Sequence, residues 1–263
     1  MNIRPLRQSV RPSPIFLAIV AITVAAGAIA WLVPIPPDGR PPVLAYVAVF
    51  IFVVFGWLVS LCLHEFGHAY TAWRFGDHDV AVRGYLTLNP LKYSNPMLSL
   101  GLPVLFIALG GIGLPGGAVY VRTGRMSAQQ KTIVSLAGPF ANAALAVLLL
   151  TLTALLFDQD HFVFWSGMAF LGFLQVTALL LNLLPVPGLD GYGALEPHLS
   201  RDLQAKLDPV KQWGLFVLLL LLFVPLLNKV FFGVVSDFVA LTGVDQYLVQ
   251  WGNQLTRFWS AWF

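Results

Sequence analysis

Five histidines and two glutamates occur in this chain of 263 residues, and one glutamate lies between two of the histidines as His64-Glu65-Phe66-Gly67-His68. On a helix, positions i and i+4 share a face, so both imidazoles can reach one ion while Glu65 stands beside them to handle a metal-activated water. Gly67 leaves room at that face for a neighbouring helix or a substrate backbone. The alternative is a polar face packed inside a bundle. Ionisable groups within an apolar span cost a few kcal/mol each, so three of them in five residues require a reason. A catalytic zinc takes three protein ligands and keeps a position for water, which leaves one ligand to find. Asp190 ends a charge-free run and sits in the proline-broken segment Asn182-Leu-Leu-Pro-Val-Pro-Gly-Leu-Asp190-Gly191. That segment can bend a carboxylate inward, but an aspartate before glycine is equally a turn residue.

The elements that hold these residues are apolar. Hydrophobic residues make up 58% of the chain and charged residues 10%, against roughly 25% charged in a soluble domain, and the mean hydropathy is +0.78. Such a composition excludes a soluble domain, a disordered chain, a coiled coil and a nucleic-acid-binding domain, and points to a polytopic membrane protein. The single cysteine, Cys62, excludes an internal disulfide. Apolar stretches near 20 residues, charge-free except for Lys229 in the last, predict helical spans at 15–35, 43–63 (continuing to about Trp73), 133–156, 163–184 and 213–235, the last kinked at Pro225. The first follows Arg4, Arg7 and Arg11; it reads as an anchor, since its apolar run continues past the A-x-A pattern at Ala28-Ile29-Ala30.

Residues 93–121 are charge-free but rich in proline and glycine. If they dip into the membrane and return, 12 of the 15 Lys and Arg fall on the side of the N-terminus, leaving Arg40, Lys229 and Arg257 opposite. A single crossing would split them 8 to 7, so a re-entrant or broken segment near the site is expected, with a cytoplasmic N-terminus in the cell (plasma or inner) membrane. The tail 238–263 suits an amphipathic helix at the headgroup level. Asp77-His78-Asp79 reads as a solvated loop, His161 beside Asp158 and Asp160 as an outside loop, and Arg201 to Lys211 as a solvated loop helix.

Three motifs, in this order, give a resemblance. HEFGH, then Ser135-Leu-Ala-Gly138-Pro139-Phe-Ala-Asn142, then N-x-x-P-x-P-x-L-D-G from Asn182 to Gly191 resemble the site-2 protease family of intramembrane zinc metalloproteases, over about 43–195. Arg83-Gly84-Tyr-Leu-Thr-Leu-Asn89-Pro90-Leu91 resembles the family's membrane-embedded β-hairpin, and Gly116-Gly117-Ala-Val-Tyr a stretch of some bacterial members. The resemblance implies one zinc per chain on His64, His68 and Asp190, Glu65 as general base, and Asn182 on the substrate or its developing oxyanion. It places Gly84, Tyr85 and Asn142 beside substrate, although A-G-P-x-x-N also serves close helix packing.

The resemblance implies a small bacterial-type member, and the length leaves no room for PDZ or CBS domains. The family's L-N-P-L-K-H-x-D-P pattern is altered here to Lys92-Tyr93-Ser94-Asn95-Pro96, without its His and Asp.

The expected architecture is therefore an all-α polytopic membrane protein of about six spans, with a membrane-embedded β-hairpin. Its parts are an N-terminal anchor and loop (1–42), a catalytic core (43–195), and a C-terminal loop, span and interfacial tail (196–263). The expected function is zinc-dependent cleavage of transmembrane protein substrates within the bilayer, with no nucleic acid involved. β-prone runs at Val80–Leu88 and Ala118–Val121 suggest an edge to which an unwound substrate adds as a strand, although a hairpin there could also simply pack on the bundle. A noncatalytic relative that binds membrane helices and a metal-ion transporter are the rival readings. Glu65 between both ligands argues against the first, and few polar residues along the spans against the second.

Overall fold

The computed structural model describes residues 10–35, 39–93, 101, 107 and 119–261. Among the described residues, four helices are long and apolar enough to cross a membrane: α1 (Pro14–Leu32), α2 (Val43–Arg74), then, beyond a short α3 (Asp79–Val82), α4 (Ala128–Leu156) and α5 (Phe162–Asn182). Short helices α6 (Asp190–Leu195) and α7 (Arg201–Leu207) follow, then α8 (Gly214–Phe223), α9 (Pro225–Ala240) and α10 (Gln246–Thr256). Residues 216–223 of α8 and the whole of α9 count together as a fifth span at most, since the chain turns by 83° between them. Pro225 opens α9 at its first turn, where a missing N–H costs nothing, so the expected kink is a break between two helices.

Helix α2 is the axis of the molecule. It packs against α1, α4, α5 and α10, and with α5 it carries most of the buried core, including Val49, Val53, Trp57, Phe170 and Leu174. Of the apolar window of α5, 78% is buried, against 22% for α1 and 33% for α4. The enclosed helices α2 and α5 can therefore hold polar groups away from lipid, while α1 and α4 present Val24, Leu32, Phe140 and Leu155 outward. Helix α4 starts on a capping box: the Ser127 hydroxyl accepts from the Gln130 N–H, and the Gln130 side chain accepts from the Ser127 N–H. The tail helix α10 buries Leu248, Val249, Gly252 and Leu255, and its docking partner is α5.

Two expectations are corrected. Among the described residues the expected six spans are four continuous ones plus the bent pair, and the β-hairpin over 83–91 is replaced by α3 and two 3-10 turns, at Tyr85–Thr87 and Pro90–Lys92, with no strand. Gly84 (φ +80°) and Leu88 (φ +56°) adopt left-handed backbone that interrupts any strand. Tertiary burial then overrides the β-propensity of the run, because Val80, Tyr85 and Leu86 pack with Ala69 and Ala72 of α2. The expected re-entrant segment 93–121 lies largely outside the described residues.

Candidate metal centre

The spacing of the motif on α2 puts His64, Glu65 and His68 in the buried interior, facing a cavity of about 510 Å³. The two imidazole Nε2 atoms lie 3.1 Å apart. Each ring is fixed from behind: His64 Nδ1 lies 2.5 Å from Asn142 Oδ1 of α4, and His68 Nδ1 lies 2.7 Å from the Val134 carbonyl of the same helix. With both Nδ1 atoms committed, the Nε2 atoms remain to act as donors.

The proline-rich turn after α5 returns the chain to this point. Asp190, the first residue of α6, sets Oδ2 at 3.2 Å from His64 Nε2 and Oδ1 at 3.3 Å from His68 Nε2. One donor atom from each of the three residues lies within 4.8 Å of the others. Asp190 Oδ2 is buried and, among the described residues, accepts no hydrogen bond. A buried carboxylate oxygen so left is unfavourable unless a cation meets it.

Space has been kept for that cation. A Cβ at Gly138 would collide with His68 Nε2 and lie only 2.6 Å from His64 Nε2, so glycine alone fits opposite the converging nitrogens. At Gly67 a Cβ would meet the Ala137 carbonyl at 2.7 Å; this glycine admits the backbone of α4. Two imidazoles and a carboxylate around a small void, with their second nitrogens already bonded, fit zinc in type and number.

Glu65 is buried, and its Oε2 accepts the Val119 N–H at 3.0 Å. Residues 119–123 run without regular structure along the cavity, with Val119, Val121 and Thr123 lining it. Asn182, the last residue of α5, also lines the cavity, and its Nδ2 donates to the Ala178 carbonyl at 3.1 Å. Asn142 is at the cavity wall but is engaged with His64 and Gln175. Gly84 and Tyr85 are not among the cavity-lining residues; Tyr85 packs beneath α2. Lys211 stands at the cavity margin, and contacts with Asp208 (2.8 Å) and Glu196 (2.5 Å) hold its ammonium above the usual lysine range.

Sequence reasoning passed over several residues that shape this centre. Asp77, expected on a solvated loop, is buried; its Oδ2 accepts the Arg122 N–H at 2.7 Å, while the Arg122 guanidinium meets Asp79 at 2.6 Å. These contacts tie the 119–123 segment to the end of α2. Gly138 and the Val134 carbonyl lie on the quoted α4 stretch or next to it, yet nothing in their types announced contact with the histidines. Gln175 and Ser60 are polar residues in apolar helices, and that isolation was the available signal.

Apolar helices enclosing two histidines and an aspartate that could hold a metal ion, with an adjacent glutamate, are the arrangement of a membrane metalloprotease. The chain belongs to peptidase family M50, the site-2 protease family. The model of that family matches residues 50–163, a stretch that contains the histidine motif and ends before Asp190. The chain is 68% identical to "Putative zinc metalloprotease Rip2" of Mycolicibacterium smegmatis over the full length of both. It is 63% identical to the protein of that name from Mycobacterium tuberculosis over 98% of each chain. "Putative zinc metalloprotease YwhC" of Bacillus subtilis is 31% identical over 66% of this chain and 81% of its own. No solved structure matches the chain.

Proposed function

We propose that this metalloprotease cleaves transmembrane segments of other proteins inside the bilayer, with His64, His68 and Asp190 as zinc ligands and Glu65 as general base. The observation that carries the reading is the depth of the donors. His64 is ten positions before Arg74 on a 32-residue helix, about 15 Å along the axis from that charged end. The preceding 21 residues carry no charge, and the whole helix, about 48 Å at 1.5 Å per residue, is longer than a hydrocarbon core of about 30 Å, so a core bounded at the Arg74 end holds His64 about midway.

Bound zinc supplies a Lewis acid and lowers the pKa of water towards neutrality. Glu65, beside that position, accepts the proton of the attacking water and returns it to the leaving amine. Asn182, on the cavity wall, has a side-chain amide to offer the oxyanion, a contact whose loss typically costs about 2.7–4 kcal/mol of barrier. The segment 119–123 suits the substrate backbone. Its alternate residues face the cavity, so a stretched substrate laid along it would exchange its helical hydrogen bonds for intermolecular ones. A cytoplasmic N-terminus would put the Arg74 end of α2, and the water supply, on the cytoplasmic side.

The test uses purified full-length protein and a fluorogenic transmembrane substrate. Glu65→Gln is expected to lower proteolysis by about 100- to 10,000-fold with one zinc still bound per chain. Undiminished cleavage by this variant, or cleavage confined to water-soluble peptides, would contradict the reading.

A further inference from the structure

Ser60 of α2, on the cavity wall, and Gln175 of α5 carry no chemistry in the proposed reaction, yet both are buried, Gln175 completely. They are joined to His64 through Asn142 by bonds that run in one direction. The Ser60 hydroxyl spends its one proton on the Trp57 carbonyl of its own helix, at 2.8 Å. Its oxygen therefore accepts, and the donor is Gln175 Nε2 at 3.0 Å. That turns Gln175 Oε1 to Asn142, whose Nδ2 donates to it at 2.8 Å. Asn142 Oδ1 is then the atom that faces His64 Nδ1, and a carbonyl oxygen only accepts.

We propose that Ser60 and Gln175 are positioning residues that act through Asn142 to fix His64 in the tautomer protonated on Nδ1, so that its bare Nε2 faces the zinc position. The inference rests on His64 being a ligand. His68 needs no such device, because the Val134 backbone carbonyl can accept and cannot turn round. An asparagine amide can present either oxygen or nitrogen. Were it reversed, Asn142 would donate to His64 Nδ1 and force the proton onto Nε2, against His68 Nε2 and in the space left by Gly138. That reversal would require the Ser60 hydroxyl to leave the Trp57 carbonyl and donate to Gln175 Oε1, so the back-bond of Ser60 to its helix opposes it, which gives a physical reason for three buried polar side chains within apolar spans.

Zinc affinity of the full-length chain in detergent micelles, measured by competition with a chromophoric chelator, tests the relay without recourse to activity. Ser60→Ala is expected to weaken zinc binding about 10- to 100-fold, and Ser60→Thr, which keeps the hydroxyl, to restore it. Asn142→Asp supplies a group that accepts whichever way it turns, so adding Ser60→Ala in that background should change nothing. Gln175→Met, similar in volume, should repeat the pattern: a loss alone and none with Asn142→Asp. Unaltered affinity in Ser60→Ala and Gln175→Met, or equal losses in both backgrounds as a packing defect would give, would overturn the relay. A wild-type chain that binds no zinc overturns the ligand reading and the relay with it, and shows itself before any substitution is made.

Discussion

At the turn between α4 and α5, His161 Nδ1 meets Asp158 Oδ1 at 2.7 Å, a closer pairing than either motif histidine makes with Asp190, at 3.2 and 3.3 Å. Proximity alone would rank the outer pair higher. Both oxygens of its carboxylate, however, are employed. Asp158 also accepts the His161 N–H at 3.0 Å and Trp165 Nε1 at 3.1 Å, and the His161 ring is stacked on Trp31 of α1 at 3.5 Å. Desolvation pushes the Asp158 carboxyl up, but the bonds from Trp165 and His161 outweigh it and hold the group below its usual range. The inner cluster has the opposite economy of donors. Its Nδ1 atoms are bonded, its Nε2 atoms converge, a carboxylate oxygen goes without a hydrogen bond, and a glycine keeps the space open. What distinguishes a metal centre from a structural contact is the set of donors left unspent around a common point.

Gly138→Ala should break this comparison most sharply, by filling the space while leaving every donor in place. Zinc affinity is expected to fall beyond the ~100-fold that follows from removing a ligand's hydrogen-bond partner. Alanine's better helix propensity, about 1 kcal/mol, should meanwhile keep α4 intact. Chelator competition and far-ultraviolet circular dichroism on the same sample measure both. The smallest effect is expected from Asp158→Asn: normal zinc content and proteolysis, with a slightly lower thermal midpoint at neutral pH. Since the folded-state carboxyl titrates below its ordinary value of 3.8, its stabilisation is present above that pH and disappears as the pH falls through the lower folded value. The midpoints of variant and wild type should therefore converge in acid.

How far the sequence could be read depended on how local each determinant is. HEFGH carries its geometry in its own spacing, because the helical period alone makes two imidazoles share a face. Asp190 was legible as a candidate from its proline-broken surroundings, and the resemblance favoured it over a turn residue. The spans followed from apolar length, with a break at Val224–Pro225 that looks in sequence like a kink; the sixth expected span has no counterpart among the described residues. Residues 80–88 misled for a tertiary reason: their β-prone side chains are consumed in packing beneath α2, and two left-handed residues end any strand. Asp77 looked like loop surface because its partner, the Arg122 N–H, is 45 residues away. The relay from Ser60 to His64 spans three helices, and no local pattern could reveal its direction.

Zinc K-edge absorption on the full-length wild type and on Asp190→Ala tests the central claim most directly. The account predicts two imidazole nitrogens at about 2.0–2.1 Å and carboxylate oxygen at about 2.0–2.2 Å in the wild type. In Asp190→Ala that oxygen contribution should be lost, together with most of the bound metal. A sulfur contribution from Cys62, or a spectrum and zinc content indifferent to Asp190→Ala, would contradict it.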